Sequence, residues 1–220
     1  MTLELLQLIL SNNYKMKFKV CGMRDKKNIE DLKLLHPDYM GFIFWPKSSR
    51  FVSQNTPKLP SHIKKTGVFV DAKFNYIKSC VEKHQLQVVQ LHGEETPEYC
   101  SQIKSLKVEV IKTFSIKKFF DFNILKPYES NCDFFLFDSK GKLPGGNGYA
   151  FDWSILNDYA SKKPFFLSGG IGLDDIESIG QLLKTKLPLF AIDVNSEFEI
   201  KPALKNIKKL IDFKYQLYEL

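Results

Sequence analysis

Arginine is almost missing from this chain: of 32 basic residues only Arg24 and Arg50 are arginines. Lysine therefore serves as the general surface cation. An arginine kept in a serine-bearing loop, as Arg50 is, points to planar two-point recognition of a carboxylate or phosphate, which lysine supplies poorly. Basic and aromatic residues do not cluster either. The net charge of +7 is spread over lysines throughout the chain, which favours a solvated surface with mild steering of anionic substrates over a nucleic-acid footprint. No apolar run approaches the ~20 residues that cross a bilayer, so neither nucleic acid nor membrane is expected as a partner. The four cysteines, Cys21, Cys80, Cys100 and Cys132, show no CxxC pairing and no zinc-ligand spacing, so no disulfide framework and no metal site are implied. A targeting signal is also lacking: MTLELLQLIL carries Glu4 in place of a basic start and has no small-residue cleavage site, and a cytoplasmic location is expected.

What the chain does have is alternation. KFKVCGM (17–23) is an apolar extended run ending in Cys21 and Gly22, after which Asp25 opens an amphipathic helix through Ile29, Leu32 and Leu35. YMGFIF (39–44) leads into WPKSSRF with Arg50; the proline-rich 54–64 is too broken for a long helix. TGVFVD ends at Asp71 before a helix around Phe74, Ile77 and Val81. QVVQLHGEE carries Gln90 and His92, with Glu94 and Glu95 expected in a first helical turn. VEVIKTFSI (108–116) precedes a helix through Phe119, Phe122 and Leu125. CDFFLFDS ends at Asp138, PFFLSGGIG closes on Ser168, Gly169 and Gly170 with Asp174 as the expected cap of the next helix, and LPLFAIDVNSEFE delivers Asp193, Asn195 and Ser196. A closing helix is expected after Pro202, through Leu204, Ile207, Leu210 and Ile211.

Eight strand-like runs alternating with helical segments in 220 residues indicate an α/β fold, a single (β/α)8 TIM barrel with a closed parallel sheet over 17–220. Residues 1–16 form an N-terminal extension, read as a short amphipathic helix or as a dispensable leader. With no long apolar patch outside the predicted strands and helix faces, a monomer is expected. In such a barrel the strand ends share one face, and that face carries the chemistry.

SGG after the seventh strand and DVNS after the eighth match a barrel phosphate site, where backbone N–H groups hold the dianion. GGNG (145–148), including Gly146, has no nucleotide-loop pattern around it and reads as a lid beside Asp138. Cys21 and Asp138 are a candidate base and acid on opposite sides of a pocket. The cysteine serves if a positive potential lowers its pKa toward neutrality, and the aspartic acid serves if burial favours its neutral form. His92 reads as a hydrogen-bonding wall residue.

These segments, KVCGM, GFIFWPKSSR, GVFVD, VQLHGEE, FLFDS with GGNGYAFDW, LSGGI and IDVNSEFE, resemble the phosphoribosylanthranilate isomerase family in order and spacing from Lys17 onward. The resemblance implies a barrel without cofactor or metal that binds a small phosphorylated substrate. The implied reaction is the Amadori rearrangement of N-(5-phosphoribosyl)anthranilate in tryptophan biosynthesis. It assigns Asp138 as acid, Cys21 as base, Arg50 to the anthranilate carboxylate, and Gly169, Gly170, Asn195 and Ser196 to the phosphate, with Gln90, His92, Gly146 and Asp193 lining the pocket. Asn195 and Glu197 stand where the family pattern more often has serine and glycine, and the Glu197 side chain is expected to turn away. Other phosphate-binding barrels, such as sugar-phosphate epimerases, want metal-ligating histidines or a catalytic lysine at strand ends. A silent phospholigand-binding barrel would be indifferent to loss of Cys21 or Asp138.

Overall fold

Residues 16–117, 119–139 and 152–220 are described by the computed structural model. Eight strands, β1 (Lys17–Val20), β2 (Tyr39–Ile43), β3 (Lys64–Phe69), β4 (Val88–Leu91), β5 (Glu109–Ile116), β6 (Phe134–Ser139), β7 (Phe165–Leu167) and β8 (Leu189–Val194), pair in sequence order. All pairings are parallel, and β8 closes on β1 with Phe18 opposite Ile192 and Lys19 opposite Asp193. The expected closed barrel is the fold.

Alternation along each strand sorts the core into two parts. Outward side chains such as Phe18, Val20, Phe42, Val89 and Phe135 join the large apolar layer beneath the helices. Inward ones build a plug in which β2, β4, β6 and β8 contribute Tyr39, Val88, Leu136 and Ala191, and β5 and β7 contribute Ile111 and Phe166. Tyr39 meets Phe166 edge-on at 5.2 Å between centroids, and Phe134 stacks on Phe190 at 4.5 Å. The plug fills the amino half of the barrel, where the Lys64–Glu109 pair meets Tyr39, and the inward polar side chains of β4, β6 and β8 that face the pocket lie at the carboxyl end.

Five α-helices occur among the described residues: α1 (Lys26–Lys33), α2 (Phe74–His84), α3 (Pro97–Lys104), α4 (Ile176–Leu183) and α5 (Ile207–Tyr218). Asp25 caps α1 as expected, its carboxylate accepting from Asn28 N at 2.8 Å. The segment between β2 and β3 has no helix, in keeping with its prolines.

Four local expectations are corrected. The helix through Phe119, Phe122 and Leu125 is a 3-10 segment over Phe122–Tyr128, because Pro127 removes a backbone donor. Edge-on contacts among Phe114, Phe120, Phe122, Phe137 and Tyr159 cover the barrel there instead. Glu94 and Glu95 precede α3, which Thr96 caps. Asp175, not Asp174, closes the turn after β7 by accepting from Gly172 N at 2.7 Å. Leu204 and Lys205 pair with Glu199–Lys201 as a small antiparallel hairpin, β9 and β10, and α5 starts only after Asn206. Residues 1–15 of the expected extension lie outside the described residues; Met16 is buried in the core.

Lys214 on α5 is buried and donates to the carbonyls of Leu35 and His36 at the end of the first unit. Burial holds its ammonium down to about 8. Between pH 8 and the ordinary value of 10.5 the unfolded chain keeps a proton that the folded chain has released, so this group's contribution to stability rises with pH there. Against Lys214→Met, wild type is expected to gain up to about 3 kcal/mol of unfolding free energy across that window. Urea titrations at stepped pH would show it; a difference that stays flat means the ammonium is not desolvated.

Candidate active site

The carboxyl ends of the strands surround one pocket. Its floor and walls include Cys21, Gln90, His92, Asp138, Asp193 and Arg50, with Ile43, Trp45, Val68 and Val70 forming an apolar side. An aryl ring suits that apolar wall.

Cys21 follows β1 directly, its N–H donating to Val194 O at 2.9 Å. Gly41 on the neighbouring strand makes room for it: a Cβ there would lie 2.6 Å from the Cys21 sulfur. Cys21 is 4% exposed. Burial pushes the thiol pKa up, and the ammonium groups of Lys19 and Lys205 pull against that without reversing it. The condition under which Cys21 would serve as a base, a thiol drawn toward neutrality by positive potential, is opposed here by desolvation of the thiolate, which outweighs two nearby cations.

Lys19, two residues earlier and on the same inward face, was not singled out from the sequence. It is fully buried and donates to Asp193 Oδ2 at 2.6 Å and to Gln90 Oε1 at 2.8 Å. The alternation Lys17, Lys19, Cys21 in an otherwise apolar strand is the signal that could have found it. An ammonium only donates, so the Gln90 amide is oriented with Oε1 toward Lys19 and Nε2 toward His92 Nδ1, 3.1 Å away, and Thr113 Oγ1, 3.3 Å away. His92 must then accept at Nδ1 and carry its proton on Nε2 when neutral. That nitrogen lies 3.2 Å from Asp138 Oδ2, without the alignment of a full hydrogen bond. His92 thus stands against the candidate acid, as a wall residue in a fixed tautomer. Asp193 Oδ1 has no hydrogen-bond partner among the described residues. Burial pushes its carboxyl pKa up, against the pull of Lys19.

The glycines after β7 adopt the left-handed conformation, Gly169 at φ +96° and Gly170 at φ +68°. No hydrogen bond among the described residues uses the N–H of Gly169, Gly170 or Ser196. Ser196–Phe198 is a single 3-10 turn that Asn195 precedes. The Asn195 side chain is held by Lys205 Nζ at 2.6 Å, and a Cβ on Gly22, at φ +78°, would lie 2.6 Å from its Oδ1. Glu197 does not occupy the left-handed region, so glycine is not needed there. Its side chain lies along Gly172, with Cγ 3.6 Å from where a Cβ on that glycine would stand.

Arg50 also reaches the pocket, but it is already engaged. Nε donates to Glu199 Oε1 at 2.9 Å and Nη2 donates to Glu199 Oε2 at 2.7 Å, with both side chains largely buried. Glu199 was missed in the sequence, as an acid in a hairpin with no local sign of its partner. Gly146 and the GGNG lid lie outside the described residues. No group of three or more His, Cys, Asp or Glu among the described residues is placed to hold a metal ion, and no helix among them is long and apolar enough to cross a membrane.

Residues 18–216 match a family model described as N-(5'phosphoribosyl)anthranilate (PRA) isomerase. The N-(5'-phosphoribosyl)anthranilate isomerase of Phocaeicola vulgatus is 42% identical over 203 residues, covering 92% of this chain and 98% of the relative. That of Campylobacter jejuni serotype O:2 is 37% identical over 201 residues, with 89% and 95% covered. The phosphoribosyl anthranilate isomerase structure from Thermus thermophilus superposes with TM-score 0.80 at 26% identity, covering 93% of this chain and 99% of that one. A phosphoribosyl anthranilate isomerase complexed with reduced 1-(o-carboxyphenylamino)-1-deoxyribulose 5-phosphate superposes with TM-score 0.76 at 27% identity, covering 93% and 100%.

Proposed function

We propose, for a chain that belongs to the N-(5'-phosphoribosyl)anthranilate isomerase family, that Asp138 and Cys21 are the acid and base of its reaction. That reaction is the Amadori rearrangement of N-(5-phosphoribosyl)anthranilate to 1-(2-carboxyphenylamino)-1-deoxyribulose 5-phosphate in tryptophan biosynthesis. Asp138 gives a proton to the furanose ring oxygen as the C1–O bond breaks, leaving a Schiff base between C1 and the aryl nitrogen. Cys21 as thiolate takes the C2 proton, and the C–H electrons become the C1=C2 bond of an enolamine. Proton return at C1 and loss from the C2 hydroxyl give the ketose, with no net oxidant consumed.

What carries this reading is that Cys21 and Asp138 line one pocket, with the glycine turn at 169–170 at its rim. The backbone of Gly169, Gly170, Asn195 and Ser196 binds the phosphate, Arg50 the aryl carboxylate, and the Ile43, Trp45 and Val68 wall the ring. Lys19 supports ionisation of Cys21. The protein acts without cofactor, as a cytoplasmic monomer on a small phosphorylated substrate and without nucleic acid, in keeping with its dispersed lysines.

The pH dependence of kcat/KM tests the base. Because burial holds the free thiol above its ordinary 9.0, the rate is expected to be still climbing as pH passes 9, followed by loss of anthranilate-type fluorescence. A rising limb that stays the same in Cys21→Ser as in wild type would remove Cys21 from that role.

A further inference from the structure

A guanidinium has five N–H donors, and Glu199 engages Arg50 along one edge only, through Nε and Nη2. Glu199 leaves both protons of Nη1 and the second of Nη2 unengaged, one proton of each nitrogen forming the end of the group, and no hydrogen bond among the described residues uses Nη1. Arg50 lines the pocket whereas Glu199 does not, so the carboxylate stands behind the arginine. Glu199 is itself fixed: Oε1 accepts from Lys205 Nζ at 2.8 Å and from Ala203 N at 3.0 Å. Burial works against its charge, but hydrogen bonds from Arg50 and Lys205 prevail and hold its carboxyl below the usual range. Gly22 is what lets the arginine stem come so close, since a Cβ there would sit 2.8 Å from Arg50 Cδ.

Charge favours the same arrangement. Two cations, Arg50 and Lys205, share one carboxylate, so the cluster retains a positive charge for a second anion despite the internal pair. The free end of Arg50 is a two-point donor of the spacing a carboxylate accepts.

We propose that Glu199 is a positioning residue that aims the free end of Arg50 at the substrate's aryl carboxylate, and so sets the preference for carboxylate-bearing over carboxylate-free aryl amines. This rests on the assignment of Arg50 to that carboxylate. A merely structural Glu199 would affect all substrates alike.

The experiment compares kcat and KM for N-(5-phosphoribosyl)anthranilate and for N-(5-phosphoribosyl)aniline, which lacks the carboxylate, in wild type, Glu199→Gln and Arg50→Ala. Glu199→Gln is expected to raise KM for the anthranilate substrate about tenfold, the worth of one charge-assisted hydrogen bond, with kcat within about twofold. With the aniline substrate KM should move by no more than about twofold, the part Glu199 shares with Asn195 through Lys205. Arg50→Ala should erase most of the preference between the two substrates, about 10²-fold. Glu199→Asp, which keeps the charge but withdraws it by one methylene, should give a smaller change of the same kind should the glutamine variant fold poorly. Equal losses on both substrates, or no change on either, would overturn the positioning role. Retention of the preference in Arg50→Ala would instead overturn the Arg50 assignment, whatever Glu199→Gln does.

Discussion

Cys21→Ala is expected to lower kcat by about 10³-fold with KM within a few-fold of wild type, because it removes the proposed base for the C2 proton and leaves the proposed phosphate and carboxylate contacts in place. Lys19 keeps Asp193 and Gln90 as partners in the variant, so the barrel should lose only about 1 kcal/mol, checked by urea denaturation. Asp138→Asn, of the same shape, should cost a similar factor. Its amide cannot give up a proton to the ring oxygen, while the neighbouring His92 Nε2–H still meets an oxygen. Substrate deuterated at C2 separates the two. The residual reaction of Cys21→Ser should show a large primary isotope effect, since C–H cleavage limits it, whereas that of Asp138→Asn should show little, since ring opening limits it. Either variant retaining more than a tenth of wild-type kcat would sink its assignment.

Gly169→Ala should be the most damaging single-methyl addition in the site. The residue sits at φ +96°, and a Cβ there would lie 2.4 Å from Ser139 N, 2.7 Å from Ser139 Oγ and 2.9 Å from Asp138 Oδ1. Neither the backbone strain nor the contact with a neighbouring strand end can be relieved by a side-chain rotation. The combined cost is about 3 kcal/mol of stability. Moving the turn also moves Asp138 and the N–H groups proposed to hold the phosphate together, so kcat should fall and KM rise, each by about tenfold or more. Gly172→Ala is the control: it has no left-handed strain, and its nearest atoms lie 3.6 Å or more away, all on the Glu197 side chain. Equal behaviour of the two variants in urea midpoint and kcat/KM would show that close approach at Gly169 is not limiting.

The strands and their ends were legible because each is a local apolar run with a turn residue behind it; Cys21, Asp138 and the Gly169–Gly170 turn follow directly. What escaped depends on partners across the barrel. Glu95 looks like a helix-dipole acid when only neighbours in sequence are considered. It is instead buried against Lys112, accepting from the N–H groups of Asp71 and Gly93. The pairings of Lys19 and Glu199 escaped for the same reason, since their partners Asp193 and Arg50 lie 174 and 149 residues away. Which of charge and burial governs the Cys21 thiol was open at the level of sequence, because a sequence shows nearby charges but not the depth at which they act. Arg50, by contrast, was legible through scarcity.

The distant pairings also bear on how the protein matures. Lys19 with Asp193, Arg50 with Glu199, Asn28 with Lys205 and Lys214 with Leu35 all tie the first units of the barrel to the last. A nascent chain still lacking its final segment holds the cysteine and the arginine but not the groups that orient them. With the proposed phosphate residues on the last strand's loop, recognition of the phosphorylated substrate requires ring closure, a contact of very high sequence separation, of the kind that slows folding. A ligand that binds the closed barrel and not the open chain would stabilise the finished protein by mass action.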